Sequence, residues 1–187
     1  INSTSTTLGK RYLKDKLLNP INNPEVLLER YQYIEELLKR PEATIENTTP
    51  EYHYKIIEKY LNKIMDIERL HRRMSLKMLQ PAEFSNLDIA YKNILNMLDL
   101  PILNSDSILT NLIPDSKEIK KFRNFVSEYE NLFEMEEIMK YNINTISNSF
   151  FKKGQVEDLD TLQDQIAWIN NYFYKIANKL SYYIEKG

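Results

Sequence analysis

Eight apolar residues near the end of the chain, Leu159, Leu162, Ile166, Ile169, Phe173, Ile176, Leu180 and Tyr183, follow one another in steps of three and four without a slip. That alternation puts all eight on one stripe of a helix and makes a heptad seam of about three and a half repeats. The spacing predicts a single helix from Glu157 to Lys186, roughly 45 Å long at 1.5 Å per residue. Its charges agree: Glu157, Asp158, Asp160 and Asp164 come early and Lys175, Lys179 and Lys186 come late, complementing the helix dipole. A seam this narrow expects one partner helix rather than a broad core. The segment is a strut.

The remainder is helical in pattern too. Only three glycines occur, Gly9, Gly154 and Gly187, too few for a fold built on hairpins or phosphate cradles. Leu8, Tyr12, Leu13 and Leu17 share a face before Asn19-Pro20 stops the helix. Asn23-Pro24-Glu25 supplies a cap, a proline at the first position and an acid in the first turn. Leu27, Tyr31, Ile34 and Leu38 follow, and Arg40-Pro41 ends that helix. Glu42 to Thr48 reads as a polar loop. Thr49-Pro50-Glu51 predicts the next start, ahead of the stripe Tyr54, Ile57, Leu61 and Ile64. Asp66 is placed to cap a helix carrying Ile67, Leu70 and Met74. Pro81 opens another with Leu87, Tyr91, Ile94 and Leu98. Pro101 and Pro114 break residues 101–116 around one short helix, and Lys117 to about Tyr141 is again periodic through Ile119, Phe122, Val126, Tyr129 and Phe133. The fold class is therefore all-α: an irregular multi-helix body over residues 1–155, then a long helix over 156–187.

The chemistry is mostly excluded. Gly9-Lys10 follows a Ser/Thr run, but a phosphate loop needs Gly at position 4 and Ser or Thr at position 11, between a strand and a helix. Position 4 is Thr and position 11 is Arg, so Gly9 reads as a helix-start glycine. Cysteine is absent, which removes disulfides and thiolate metal sites. His53 and His71 are the only histidines and read as surface or interface side chains. The formal charge of −2 gives no global field for nucleic acid or an acidic membrane. No apolar run approaches the ~18 residues of a membrane span. The basic cluster "RLHRR" offers Arg69, Arg72 and Arg73 to a phosphate backbone, or to pairing with Glu68 and neighbouring acids. Trp168 and the late tyrosines, beside the seam, read as packing residues that could otherwise stack on bases. The chain begins at Ile1 without Met, which suggests a piece of a longer protein.

Several spaced motifs, taken together, resemble the core or lever region of the MutS family of DNA mismatch-repair ATPases. "NSTSTTLGKRYLKDKLLNPI" is similar to that region's beginning, with Gly9, Lys10 and Arg11 at the family's Gly-Lys-Arg. "NPEVLLERYQYIEELL" resembles the next helix, with Arg30 at the family's Arg position. "IMDIERLHRRM" resembles Asp-Leu-Glu-Arg-Leu with a second Arg four residues on, here Asp66, Glu68, Arg69 and Arg73. "QPAEFSNL" resembles the Pro-Arg-Asp-Leu turn. "FFKKGQVEDLDTL" resembles the Gly then Glu-Leu-Asp-x-Leu signature, here Gly154, Asp158, Leu159, Asp160 and Leu162. The pattern is departed from at Lys16, Ala82 and Asp158, where the family often has Trp, Arg and Glu.

The resemblance implies a structural lever coupling ATPase state to DNA clamp engagement, with the long helix ascending towards the clamp. It implies that these motif residues are architectural, and that no catalytic, cofactor or metal residue lies here. ATP and Mg would be bound by the parent protein, which would meet DNA through other domains, act as a homo- or heterodimer, and work inside the cell on DNA. The seam over residues 159–183 is expected to self-associate in the isolated chain. Two other functions fit the same residues: a free-standing helical adaptor using the seam, and a direct nucleic-acid binder using Arg69, Arg72, Arg73 and the late tyrosines.

Overall fold

The computed structural model describes residues 3–40, 51–104 and 107–184. Helices α1 (Thr7–Leu18), α2 (Pro24–Leu37), α3 (His53–Leu61), α4 (Ile67–Ser75), α5 (Pro81–Leu98), α6 (Pro101–Asn104), α7 (Ser116–Leu132), α8 (Met135–Ile138) and α9 (Glu157–Ile184) follow in order, with a 3₁₀ turn at Ile108–Leu112. Among the described residues the only β pairing is a single antiparallel bridge between Phe133 and Phe151. The all-α class is as the periodicity predicts.

Local chemistry sets most helix starts. Thr6 accepts from the Gly9 N–H at 2.9 Å, Asn23 from Glu25 at 2.9 Å and Asp66 from Arg69 at 3.2 Å, each satisfying an amide with no partner inside its helix. Gln80-Pro81 opens α5 with a capping box, in which Glu83 accepts from the Gln80 N–H at 3.0 Å.

Helix α5 is the axis of the core. Leu87 and Ala90 have no exposed surface, and Tyr91, Leu95 and Leu98 are buried beside them. Leu70 of α4 and Val126 and Tyr129 of α7 complete the central cluster, with Phe84, Phe122 and Phe133 packed around it. Burial runs almost all round α5, so polar side chains are enclosed as well. Each finds a partner: Ser85 donates to the Met135 carbonyl at 3.2 Å, Asn93 to the Ile89 carbonyl at 2.7 Å, and Asp88 accepts from Tyr129 at 2.8 Å. Satisfied in this way, enclosed polar groups add specificity at little cost.

Three expectations are corrected. Helix α3 begins at His53 rather than at Glu51, with Tyr52 as an N-cap that makes no side-chain bond. His53 takes the second of the two placements expected of it, an interface: it is buried, its Nδ1 lies 3.1 Å from the Glu36 carbonyl, and its backbone N–H donates to Lys39 at 3.0 Å, so it locks α3 to the end of α2. The periodic stretch from Lys117 does not continue to Tyr141. It stops at Leu132, because Phe133 turns extended (φ −120°, ψ 144°) to pair with Phe151. Residues 101–116 hold two short elements, α6 and the 3₁₀ turn, instead of one. The loop over 42–48, the stop at Pro41, the Thr49-Pro50 signal and Lys186 lie outside the described residues.

No residue of α1, α2 or α9 is buried. Tyr31, Ile34 and Leu38 of the α2 stripe stay exposed, as does the whole α9 seam.

Candidate functional site

Motif residues far apart in sequence meet at one end of α4. The Arg11 guanidinium, one turn into α1, donates to both carboxylate oxygens of Asp66 at 2.7 and 3.1 Å and pairs with Glu68 at 2.7 Å. Asp66 is thus used twice, capping α4 and receiving a two-pronged cation from α1. Arg11, and the Arg69 amide at the cap, hold the Asp66 carboxyl below its ordinary range, against an opposing push from partial burial. The same hydrogen bond raises the Arg11 guanidinium.

The other end of α4 is tied to α5. Arg73 donates from Nε to Glu83 at 2.8 Å and from its terminal nitrogen to the Met78 carbonyl at 2.9 Å, across a turn whose Lys77 takes a left-handed φ of 56°. Partial burial pushes Glu83 up, but the Gln80 amide and Arg73 outweigh it and leave its pKa lowered. Arg69 reaches Glu83 only at 4.0 Å. The chain α1–Arg11–Asp66–α4–Arg73–Glu83–α5 is a polar brace along one side of the core.

Among the motif residues, Arg11, Asp66, Glu68, Arg69 and Arg73 belong to this brace. Gly9 serves its first helix: an added Cβ would lie 3.1 Å from the Thr6 capping hydroxyl. With its N–H already committed to Thr6, Gly9 is not available to a phosphate cradle. Lys10 is exposed and Arg30 half-buried, and neither makes an ion pair among the described residues. Arg72 is exposed and likewise unpaired; of the three arginines offered to a phosphate backbone, Arg73 is committed to Glu83 and Arg72 is open. His71 contacts the Tyr91 hydroxyl through Nε2. No group of three or more His, Asp or Glu side chains among the described residues could hold a metal ion.

Gly154, Leu159 and Asp160 form a second site, at the foot of α9. Gly154 has φ +87°, a conformation that costs a residue with a Cβ, and its N–H donates to Asp160 at 2.7 Å. The bridge before it is tied by Glu134 N–H to Phe150 O at 2.8 Å and Lys152 N–H to Leu132 O at 2.9 Å. Phe133 packs against Phe151 with ring centroids 4.9 Å apart. Together these fix where α9 leaves the body. Leu159 is at the margin of exposure, the best covered of the eight seam residues.

A third cluster has no counterpart among the sequence motifs. Asp88 of α5 is buried, accepting from Tyr129 and from Lys92 at 2.8 Å, while Lys92 also meets Glu130 at 2.6 Å. Burial and then Asp88 raise the Tyr129 phenol far above its ordinary value, so it stays a donor. The signal for it in the sequence is an Asp and a Lys one turn apart on a helix otherwise apolar at those positions.

Asp66→Ala is expected to lower stability by about 1 kcal/mol through the lost cap alone. The loss should shrink on acidification. Asp66 has a depressed folded pKa, so its contribution is present above the unfolded carboxylate value near 3.9 and disappears as pH falls through the folded one. Urea midpoints of both forms at neutral pH and near pH 3 check this. Gly154→Ala should cost roughly 1 kcal/mol of backbone strain, since nothing lies within 4 Å of the added Cβ; the same urea assay measures it.

Among the described residues the geometry is that of a braced helical body carrying one long helix whose seam is exposed. A family model described as MutS domain III matches residues 1–183, and the chain belongs to that family. It is 37% identical over 183 residues to a DNA mismatch repair protein mutS homolog of Acanthamoeba polyphaga mimivirus, covering 93% of this chain and 15% of that relative. It is 23% identical over 193 residues to the DNA mismatch repair protein MutS of Fervidobacterium nodosum, covering 99% of this chain and 22% of the relative. The MutS protein of Persephonella marina is 26% identical over 181 residues, with 94% and 19% covered. The chain therefore spans less than a quarter of the length of each of these relatives.

Proposed function

We propose that this chain is the lever portion of a MutS-like DNA mismatch-repair ATPase, with residues 1–155 as the body and 156–187 as the ascending helix. The observation that carries it is the foot of α9, where a β bridge, an aromatic cluster and the Gly154–Asp160 bond join a braced body to a 28-residue helix. A helix of that length, about 42 Å, can carry a displacement of the body to its far end without bending sharply. ATP and Mg would be held elsewhere in the parent protein, and DNA would be met mainly through other domains. The parent would act inside the cell as a dimer of like or related chains. In the isolated chain the open seam would be covered by a second copy.

The coupling is tested in the parent protein. Asp66→Ala and Glu68→Ala combined with Glu83→Ala remove both ties of the brace. Basal ATP hydrolysis should persist, while its response to DNA falls several-fold. An unchanged response in a folded variant would contradict the lever role. The open seam also suits a free-standing adaptor, which predicts a parent that lacks ATP hydrolysis altogether.

A further inference from the structure

We propose that the far half of α9 carries a binding site for an unpaired nucleic-acid strand, formed by Trp168, Tyr172, Lys175 and Lys179. These four are spaced four, three and four residues apart, so they form one stripe. At 100° per residue the stripe lies roughly 100° round the helix from the apolar seam. Trp168 and Lys175 therefore stay clear of a partner helix that covers the seam, while Tyr172 and Lys179 border it.

The rings supply the first half of the site. Trp168 and Tyr172 stack almost parallel, with an interplanar angle of 9° and centroids 5.7 Å apart. Trp168 is 67% exposed and Tyr172 53%. An unpaired base can lie on the outer face of such a stack, whatever its identity. A base inside a duplex cannot, because its faces are already covered by its neighbours. Within the described residues these rings pack only on one another and on Phe173.

Charge supplies the second half. Lys175 and Lys179 stand one turn apart, about 6 Å along the axis, and neither pairs with an acid among the described residues. From Gln165 to Ile184 there is no Asp or Glu at all, although 27 of the 187 residues are acidic. The helix dipole accounts for lysines late in a helix. It does not account for exposed rings aligned with them. A strand bound here would rest a base on the Trp168–Tyr172 stack and place neighbouring phosphates against the two ammonium groups.

Trp168 is the only tryptophan, so its fluorescence reads this site and no other. Titration with a short oligothymidylate at low salt should quench it saturably. Two phosphate contacts on a single strand give a slope of log K against log salt of about −1.4, and Lys179→Gln should reduce it to about −0.7. Tyr172→Ala should weaken binding roughly tenfold. Ile169→Asp, on the seam, should bind no more weakly than the wild-type chain, which separates the stripe from helix pairing. Circular dichroism verifies that the surface variants keep their helix. Absence of quenching, equal binding of a duplex, an unchanged slope in Lys179→Gln, or loss of binding in Ile169→Asp would each overturn the site. None of these outcomes bears on the lever role, which rests on the brace and the foot of α9.

Discussion

Leu87→Ala removes about 3 kcal/mol of stability, the largest loss expected from a single truncation in this chain. Leu87 has no exposed surface, and it sits between α4 and α7 in the central cluster. Truncation loses the transfer energy of the removed atoms and leaves a cavity that the surrounding helices close only partly, for a total of about 2–5 kcal/mol. Collapse is hampered here because α5 is enclosed on nearly every side, and its neighbours are fixed by the Asp88–Tyr129 and Arg73–Glu83 bonds. Leu87→Met keeps the volume and should cost less than about 1.5 kcal/mol. Leu180→Ala offers the contrast: that side chain is exposed on α9, so its monomer stability should move by less than about 0.5 kcal/mol. Urea unfolding of the three variants measures the order, and a Leu87→Ala loss no larger than that of Leu180→Ala would show that the core lies elsewhere.

Ile169→Asp weakens self-association of the isolated chain by 100-fold or more. The eight seam side chains are between 36 and 72% exposed, and they run unbroken along α9. Covering each is worth ~1.5–3 kcal/mol, so a second copy is the expected cover for the stripe. Early acids and late lysines make α9 complementary to itself in the antiparallel sense, and like charges would meet in the parallel one. Ile169 lies near the middle of the seam, where an aspartate has no evident partner and its burial costs several kcal/mol; 1.4 kcal/mol is tenfold in affinity. Sedimentation across a concentration series should show the wild-type chain growing heavier and the variant remaining monomeric, with the body folded in both. A wild-type chain that stays monomeric while α9 is fully protected from amide exchange would show that this chain supplies the seam's partner itself.

What the sequence made legible was what depends on neighbours within a few residues. The caps at Asn23 and Asp66, the proline start of α5 and the length of α9 all follow from local spacing. Gly154 and Asp160 stood out as motif residues, and the bond between their backbone and side chain explains both at once. What was not legible depends on distant partners. Helix α7 ends at Leu132 because Phe133 pairs with Phe151, eighteen positions on, and nothing between Lys117 and Tyr141 announces that. The burial of His53 needs the Glu36 carbonyl at the end of α2. The Asp88–Tyr129 bond joins residues 41 positions apart, and the Arg11–Asp66 pair residues 55 apart. The motifs named both members of the second pair without pairing them; of the first, the Lys one turn on marks only Asp88, and nothing points from it to Tyr129.

The central claim is that body and α9 move as one rigid lever. Its most direct test is a distance measured in the parent protein between spin labels on cysteines introduced at Lys121 of α7 and Asn178 of α9, both exposed. The claim predicts one narrow distribution that is the same without nucleotide and with ATP bound, while the distance from position 178 to a label on bound DNA changes between those states. A distance from 121 to 178 that broadens or shifts with nucleotide would place a hinge at the foot of α9 and contradict the lever.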